Sequence, residues 1–240
     1  MTPHDGSVRI LDDLAPGSEP RPFLPAAARD WLLPLYDPLT RLAGVRRRHD
    51  RLVDLAAISA GQSVLDVGCG TGNLALAVLR AVPGALVTGL DPDPKALRTA
   101  ARKLTRTRAS ATLVRGYADH LPAPDGSLDH VVSALALHHI DDKESFAAEA
   151  FRVLAPGGRV TILDFAGDPG DDADHRHGGS RGGHRHRHGL GRRAVEQRSR
   201  ANAGDALATL LSAAGFADAR EVAHEDSRIG SLTYVQANRP

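Results

Sequence analysis

Val64-Leu65-Asp66-Val67-Gly68-Cys69-Gly70-Thr71-Gly72 is the stretch that decides the fold. A short apolar run ends in three glycines at alternate positions, and a helical pattern over Thr71–Val82 follows at once. This order reads as a buried strand, a tight turn and a helix N-terminus, the building unit of open α/β sheets. Glycines permit positive φ and let a ligand approach the backbone, and the turn lies at the sheet's carboxyl edge. The turn is therefore a candidate ligand site, although a bare strand-to-helix connection has the same glycines.

Outward from this unit the same alternation continues. Strands are expected at Ser63–Val67, Ala85–Leu90, Ala111–Arg115, His130–Ala134 and Arg159–Asp164, with helices at Pro94–Thr105 and Lys143–Leu154 between them. Asp93-Pro94 supplies an N-cap followed by proline at the first helical position, Asp141 with Glu144 suggests a capping box, and Pro156-Gly157-Gly158 turns the chain into a strand. A helix at Asn202–Ala214 ends at Gly215, and strands at Ala217–Ala223 and Ser231–Gln236 finish the sheet as an antiparallel pair. The expectation is an α/β fold, mostly parallel, with helices on both faces.

Two regions depart from the alternation. Residues 1–25 carry Pro3, Pro16, Pro20, Pro22 and Pro25 and read as a flexible tail, while residues 26–60 show helical spacing from Trp31 to Ile58, broken near Pro34 and Pro38. Arg46 to Arg48 in that region read as a solvated helix face, with an anionic-substrate patch as the alternative. Residues 167–193, with eight glycines and five histidines, hold almost no aliphatic side chains and read as a disordered insertion after the core of residues 63–166; residues 202–240 complete the domain. Alternation of His184, His186 and His188 with arginine could chelate a metal, but the segment is cationic and has no evident second shell, so no dedicated metal site is expected.

The whole chain of 240 residues has 30 Lys+Arg against 29 Asp+Glu, a formal charge of +1, and this gives no electrostatic reason to expect nucleic acid or an anionic membrane as partner. A hydrophobic fraction of 42% excludes disorder of the whole chain. A single cysteine, Cys69, excludes an internal disulfide framework, and with no apolar run of spanning length and no secretory pattern the expected location is cytoplasmic.

Two carboxylates narrow the candidate ligand. Asp66, two residues before Gly68, would repel a dinucleotide pyrophosphate and attract a cation, which counts against a nucleotide-dependent oxidoreductase. Asp91 ends the next strand, where a carboxylate can accept two hydrogen bonds from a ribose diol. At these residues, and in Gly89-Leu90-Asp91, Leu121-Pro122-Ala123-Pro124-Asp125-Gly126-Ser127-Leu128-Asp129, Leu137-His138-His139-Ile140 and Leu154-Ala155-Pro156-Gly157-Gly158, the chain resembles the class I S-adenosylmethionine-dependent methyltransferases, in particular the small-molecule branch with the ubiquinone/menaquinone-biosynthesis enzymes. The resemblance implies a Rossmann-like sheet of seven strands under an N-terminal helical lid that includes Trp31 and Tyr36. It also implies S-adenosylmethionine as cofactor and a small molecule as methyl acceptor.

By that resemblance Gly68, Cys69, Gly70 and Gly72 hold the methionine end of the cofactor, Asp66 favours its ammonium and Asp91 its ribose hydroxyls. Cys69 reads as a small packing residue of that turn. Many relatives carry an adenine-binding acid where this chain has Tyr117; here the Ala118 N–H faces adenine, Asp119 is the substitute acceptor for its amino group, and Ala134 lies against the cofactor at the fourth strand's end. His138, and after it Asp164, are candidates for proton removal or acceptor positioning, with a purely structural His138-His139 pair as the alternative. Where relatives carry apolar helices that cover substrate, this chain has its polar, glycine-rich insertion, which argues against a quinone-like lipid acceptor. A non-catalytic cofactor- or metal-responsive binding protein that keeps the fold is the remaining reading.

Overall fold

The computed structural model describes residues 8–13, 44–166, 204–227 and 230–240. Trp31, Tyr36 and the histidine-rich segment lie outside these residues. In chain order the elements are β1 (Val8–Asp12), α1 (Val45–Ala56), β2 (Ser63–Val67), α2 (Asn73–Ala81), β3 (Leu86–Asp91), α3 (Pro94–Arg106), β4 (Ala111–Arg115), β5 (Leu128–Ala134), a single 3-10 turn (Leu137–His139), α4 (Lys143–Val153), β6 (Leu154–Phe165), α5 (Gly204–Ala213), β7 (Ala217–Ser227) and β8 (Gly230–Asn238).

The strands form one sheet in the order β1-β4-β3-β2-β5-β6-β8-β7, parallel from β1 to β6 and antiparallel at β6–β8 and β8–β7. The chain winds one way from β2 through β3 to β4 and the other way from β5 to β6. The order therefore reverses between β2 and β5, where a crevice must open at the strands' carboxyl ends. Period-2 alternation sends Leu65 and Val67 to one face, against Phe146, Ala147 and Ala150 of α4 and Leu207 and Leu211 of α5. It sends Val64, Val87 and Val132 to the other, against Leu52, Val53 and Ala56 of α1 and Leu74 and Val78 of α2. Residues buried on both faces explain why β2 reads as a continuous apolar run.

Among the described residues eight strands, not seven, make the sheet, and the extra one corrects part of the flexible-tail expectation. Val8–Asp12 pairs in parallel with Ala111–Arg115 at the sheet edge, and Asp12 meets Arg115 at 3.5 Å. The five prolines that spoil periodicity in the tail all fall outside this window, so every N–H needed for the ladder is present. The cap of α4 is a second correction. Asp142, not Asp141, accepts from Ser145 N–H at 2.8 Å, and Asp93 caps α3 as expected, accepting from Lys95 N–H at 2.7 Å.

The block Leu121–Asp129 turns out to be a clamp. Arg152 on α4 donates to the carbonyls of Leu121 (3.1 Å) and Ala123 (2.9 Å) and to Asp125 (2.7 Å), while Glu149 accepts from the Leu121 N–H at 2.8 Å. Asp129 then accepts from both the backbone N–H and the hydroxyl of Ser63, each at 2.8 Å, and ties the start of β2 to β5. A loop without regular hydrogen bonds thereby has its backbone groups satisfied by side chains.

Candidate active site

The turn after β2 folds back over the end of β3, because the N–H groups of Gly68 and Cys69 both donate to the Leu90 carbonyl, at 2.9 and 3.0 Å. Gly68 has φ +73°, and a Cβ there would lie 2.3 Å from that of Ala136. Any side chain would push the turn off the segment that follows β5. Gly70, at φ +51°, meets nothing within 4 Å and faces open space. Gly68 thus serves packing, and Gly70 leaves room for a ligand to reach the backbone.

Asp66 and Asp91 flank this opening. Asp66 is 1% exposed, and its Oδ2 accepts from the Ala75 N–H at 3.1 Å in the first turn of α2. Burial raises it to about 7, against the Ala75 hydrogen bond that pulls it down, with the charge of Asp91 adding to the rise. Asp91 bridges two amides, accepting from Gly70 N–H at 2.8 Å and from Asp93 N–H at 2.9 Å, and burial raises it to about 6. Each oxygen that holds one backbone N–H keeps a second lone pair for a ligand.

Together these residues wall a cleft of about 500 Å³ at the crevice between β2 and β5. Of the residues expected to bind cofactor, Asp66, Gly68, Cys69, Gly70, Asp91, Ala118, Asp119 and Ala134 all line it. Gly72 does not, since its missing Cβ lets Ala100 of α3 pack at the turn. Burial, with the nearby charges of Asp91 and Asp66, pushes the Cys69 thiol well above its ordinary value, as suits a packing residue and not a nucleophile.

His138 departs from expectation in its placement. It is 5% exposed and absent from the cleft wall; its Nδ1 lies 2.7 Å from Asp164 Oδ1, and its backbone N–H donates to Asp164 Oδ2 at 3.1 Å. Asp164 is fully buried. His139, whose ring centroid is 4.0 Å from that of His138, is the member of the pair on the wall. The 3-10 turn after β5 rotates successive side chains by about a third of a turn, so two adjacent histidines cannot face the same way.

Sequence reasoning missed His49. It lines the cleft from α1 and is 7% exposed. Its signal was its spacing, since Val45, His49 and Val53 recur at four-residue steps on the buried side of the helix. Arg48 corrects the solvated-face reading as well, because it is buried and pairs with Glu225 at 2.9 Å, while Arg46 and Arg47 are exposed.

Residues 64–158, from β2 to the glycines that open β6, match the family model of a methyltransferase domain. Across 142 residues the chain is 40% identical to the demethylmenaquinone methyltransferase of Thermus thermophilus, covering 58% of this chain and 64% of that protein. It is 35% identical over 159 residues to the ubiquinone/menaquinone biosynthesis C-methyltransferase of Syntrophotalea carbinolica, covering 64% of each. The aligned stretch thus spans just under two thirds of either relative. A crystal structure of a SAM-dependent methyltransferase from Aquifex aeolicus superimposes with a TM-score of 0.59 at 17% identity, over 80% of this chain and 89% of that one. Among the described residues no helix is long and apolar enough to cross a membrane.

Proposed function

We propose that the protein transfers a methyl group from S-adenosylmethionine to a small-molecule acceptor, at oxygen or carbon. The observation that carries this reading is the pair of buried carboxyl groups, Asp66 and Asp91, set on either side of the open Gly70 backbone. A carboxyl raised to about 7 by burial regains its charge when a cation is seated beside it, so Asp66 suits an ammonium. Asp91, with one free lone pair per oxygen, suits a vicinal diol. The relatives' printed names are those of methyltransferases, and the acids suit no dinucleotide phosphate.

Bound in the cleft, S-adenosylmethionine supplies an electrophilic methyl group whose leaving thioether is neutral. The chain's work is therefore to place the acceptor in line and exclude water, with a base needed only for an acceptor that must lose a proton. For that base we take His138. With Asp164 Oδ1 accepting from Nδ1–H at 2.7 Å, the proton is fixed on Nδ1 and Nε2 is left to take one. His139 is the alternative, because it is the one that lines the cleft. Asp119, on the cleft wall beside Ala118, is the proposed acceptor for the adenine amino group.

Calorimetry with S-adenosylhomocysteine and NAD tests the cofactor, and a labelled methyl donor offered to pools of phenolic, enolic and thiol acceptors tests the reaction. Binding of the first ligand and label transfer to a small molecule are expected. Tight NAD binding, or no binding of S-adenosylhomocysteine, would overturn the reading.

A further inference from the structure

The two edges of the sheet are built differently. β7, at one end, pairs irregularly with β8, with register shifts between Ala217 and Arg220 and between Glu221 and Ala223, and it carries Arg220, Glu221, Glu225 and Asp226. Bulges and charges are the means by which an edge strand discourages a further strand from adding. β1, at the other end, keeps an unbroken register against β4, contains no proline, and leaves Ile10 47% and Leu11 52% exposed. We infer that β1 is an assembly edge, at which two copies of this chain join antiparallel about a two-fold axis with Leu11 facing Leu11.

Backbone direction fixes which groups are available. Asp13 N–H donates to the Arg115 carbonyl at 3.0 Å, so alternation turns the backbone groups of Arg9, Leu11 and Asp13 toward β4 and those of Ile10 and Asp12 outward. A two-fold axis perpendicular to the sheet keeps every side chain on its own face, so odd positions oppose odd positions and even oppose even. Centred on Leu11, the pairing sets Ile10 against Asp12 of the second copy, and Asp12 against its Ile10, as hydrogen-bonded pairs that use the outward groups. Leu11 then meets Leu11, and Arg9 meets Asp13, at non-hydrogen-bonded positions, where opposed side chains approach more closely.

Charge selects both the register and the occupant. Arg9 and Asp13 are exposed and have no ion-pair partner among the described residues, whereas Asp12 lies 3.5 Å from Arg115. In the Leu11-centred register an Arg9–Asp13 pair flanks the apolar centre on each side. Moving the centre to Ile10 would set Arg9 against Leu11 and leave both charges unmatched. A strand whose charges complement its own reversed copy fits a second molecule of this chain. Because the strand is short, the interface is small and the dimer depends on concentration.

Sedimentation velocity on the full chain, across the micromolar range, should show a monomer–dimer equilibrium. Arg9→Glu and Asp13→Arg each set like charges face to face at two places, and each should weaken dimerisation by about tenfold. An equimolar mixture of the two variants should recover wild-type association, since their heterodimer regains an opposite-charge pair on each side. Equal melting temperatures would show that both variants keep the fold. Leu11→Cys should give a disulfide-linked dimer under a mild oxidant, because Cys69 is buried and the two substituted positions face each other. A chain that stays monomeric throughout, which would leave the edge to a different strand, overturns the inference. A dimer indifferent to both charge reversals, or two folded variants that fail to recover on mixing, overturns it equally.

Discussion

Asp66 should make cofactor binding pH-dependent and the free protein less stable at alkaline pH. Its carboxyl stands at about 7 in the free protein, because it is 1% exposed and has one backbone hydrogen bond to offset burial. An unfolded aspartate titrates at 3.8, so the native state binds more protons between about pH 4 and 7 and loses stability as pH rises through that window. A shift of about three units at about 1.36 kcal/mol each puts the upper limit near ~4 kcal/mol at pH 8. Asp66→Asn keeps an oxygen for the Ala75 N–H and removes the charge. It should raise the unfolding free energy of the ligand-free protein at pH 8 by about 1–4 kcal/mol and by less than half as much at pH 5.

Binding reverses the sign. An ammonium needs the ionised carboxylate, so at pH 7 about half a proton should leave on binding of S-adenosylhomocysteine, and affinity should fall about tenfold from pH 8 to pH 6. Asp91, at about 6, adds about a further twofold over the same range, while His49, at about 4, stays neutral throughout. Calorimetry in buffers of different ionisation enthalpy reads the proton count, and thermal unfolding reads the stability. A pH-independent affinity between 6 and 8, or an Asp66→Asn protein less stable than wild type at pH 8, would refute the reasoning.

Asp91→Ala should weaken cofactor binding by about 1.5–3 kcal/mol, the range for hydrogen bonds to a charged group, and unchanged affinity in calorimetry would place the ribose elsewhere. His138→Ala should lower turnover about 10²–10⁴-fold with cofactor affinity nearly intact, and Asp164→Asn should follow it; a loss under about threefold, with a large loss in His139→Ala, would move the base to His139. Gly68→Ala should lower the melting temperature through about 1–3 kcal/mol of backbone strain and the 2.3 Å approach to Ala136, and a protein as stable as wild type in a thermal scan would contradict that contact.

The frame of the fold was legible because it rests on local signals. Ser63–Val67 and Ala111–Arg115 fall where the apolar runs put them, Asp93 caps α3, and both strand-end acids lie at the cleft. Strand ends are fixed by ladder register, so the sequence position of Asp66 or Asp91 determines its place in space. Residues delivered by other elements were harder to read. Which of His138 and His139 faces the cleft depends on the rotation of one 3-10 turn, and which of Asp141 and Asp142 caps α4 depends on where that helix begins, by a single residue. β1 was hidden because a five-residue edge strand between prolines has no periodicity long enough to detect. His49 reaches the cleft from α1 and Lys103 meets Thr71 and Asn73 from α3, placements that only tertiary packing creates.

The acids of the clamp and those beside the glycine turn divide by the direction in which the fold moves them. Glu149 and Asp129 are held below their ordinary values, Glu149 chiefly by its hydrogen bond to Arg152 and Asp129 chiefly by the Ser63 N–H. Each is depressed by a partner in the clamp around Leu121–Asp129, so each contributes stability that is present at neutral pH and lost as pH falls through the carboxylate range. Asp66 and Asp91 move the other way, because burial outweighs their backbone hydrogen bonds. A structural carboxylate gains from ionising where it stands, and these two lose by it. Such a loss persists only if something else uses the charge, and the open backbone of Gly70 between them is where a cation bearing a diol would supply the missing partner.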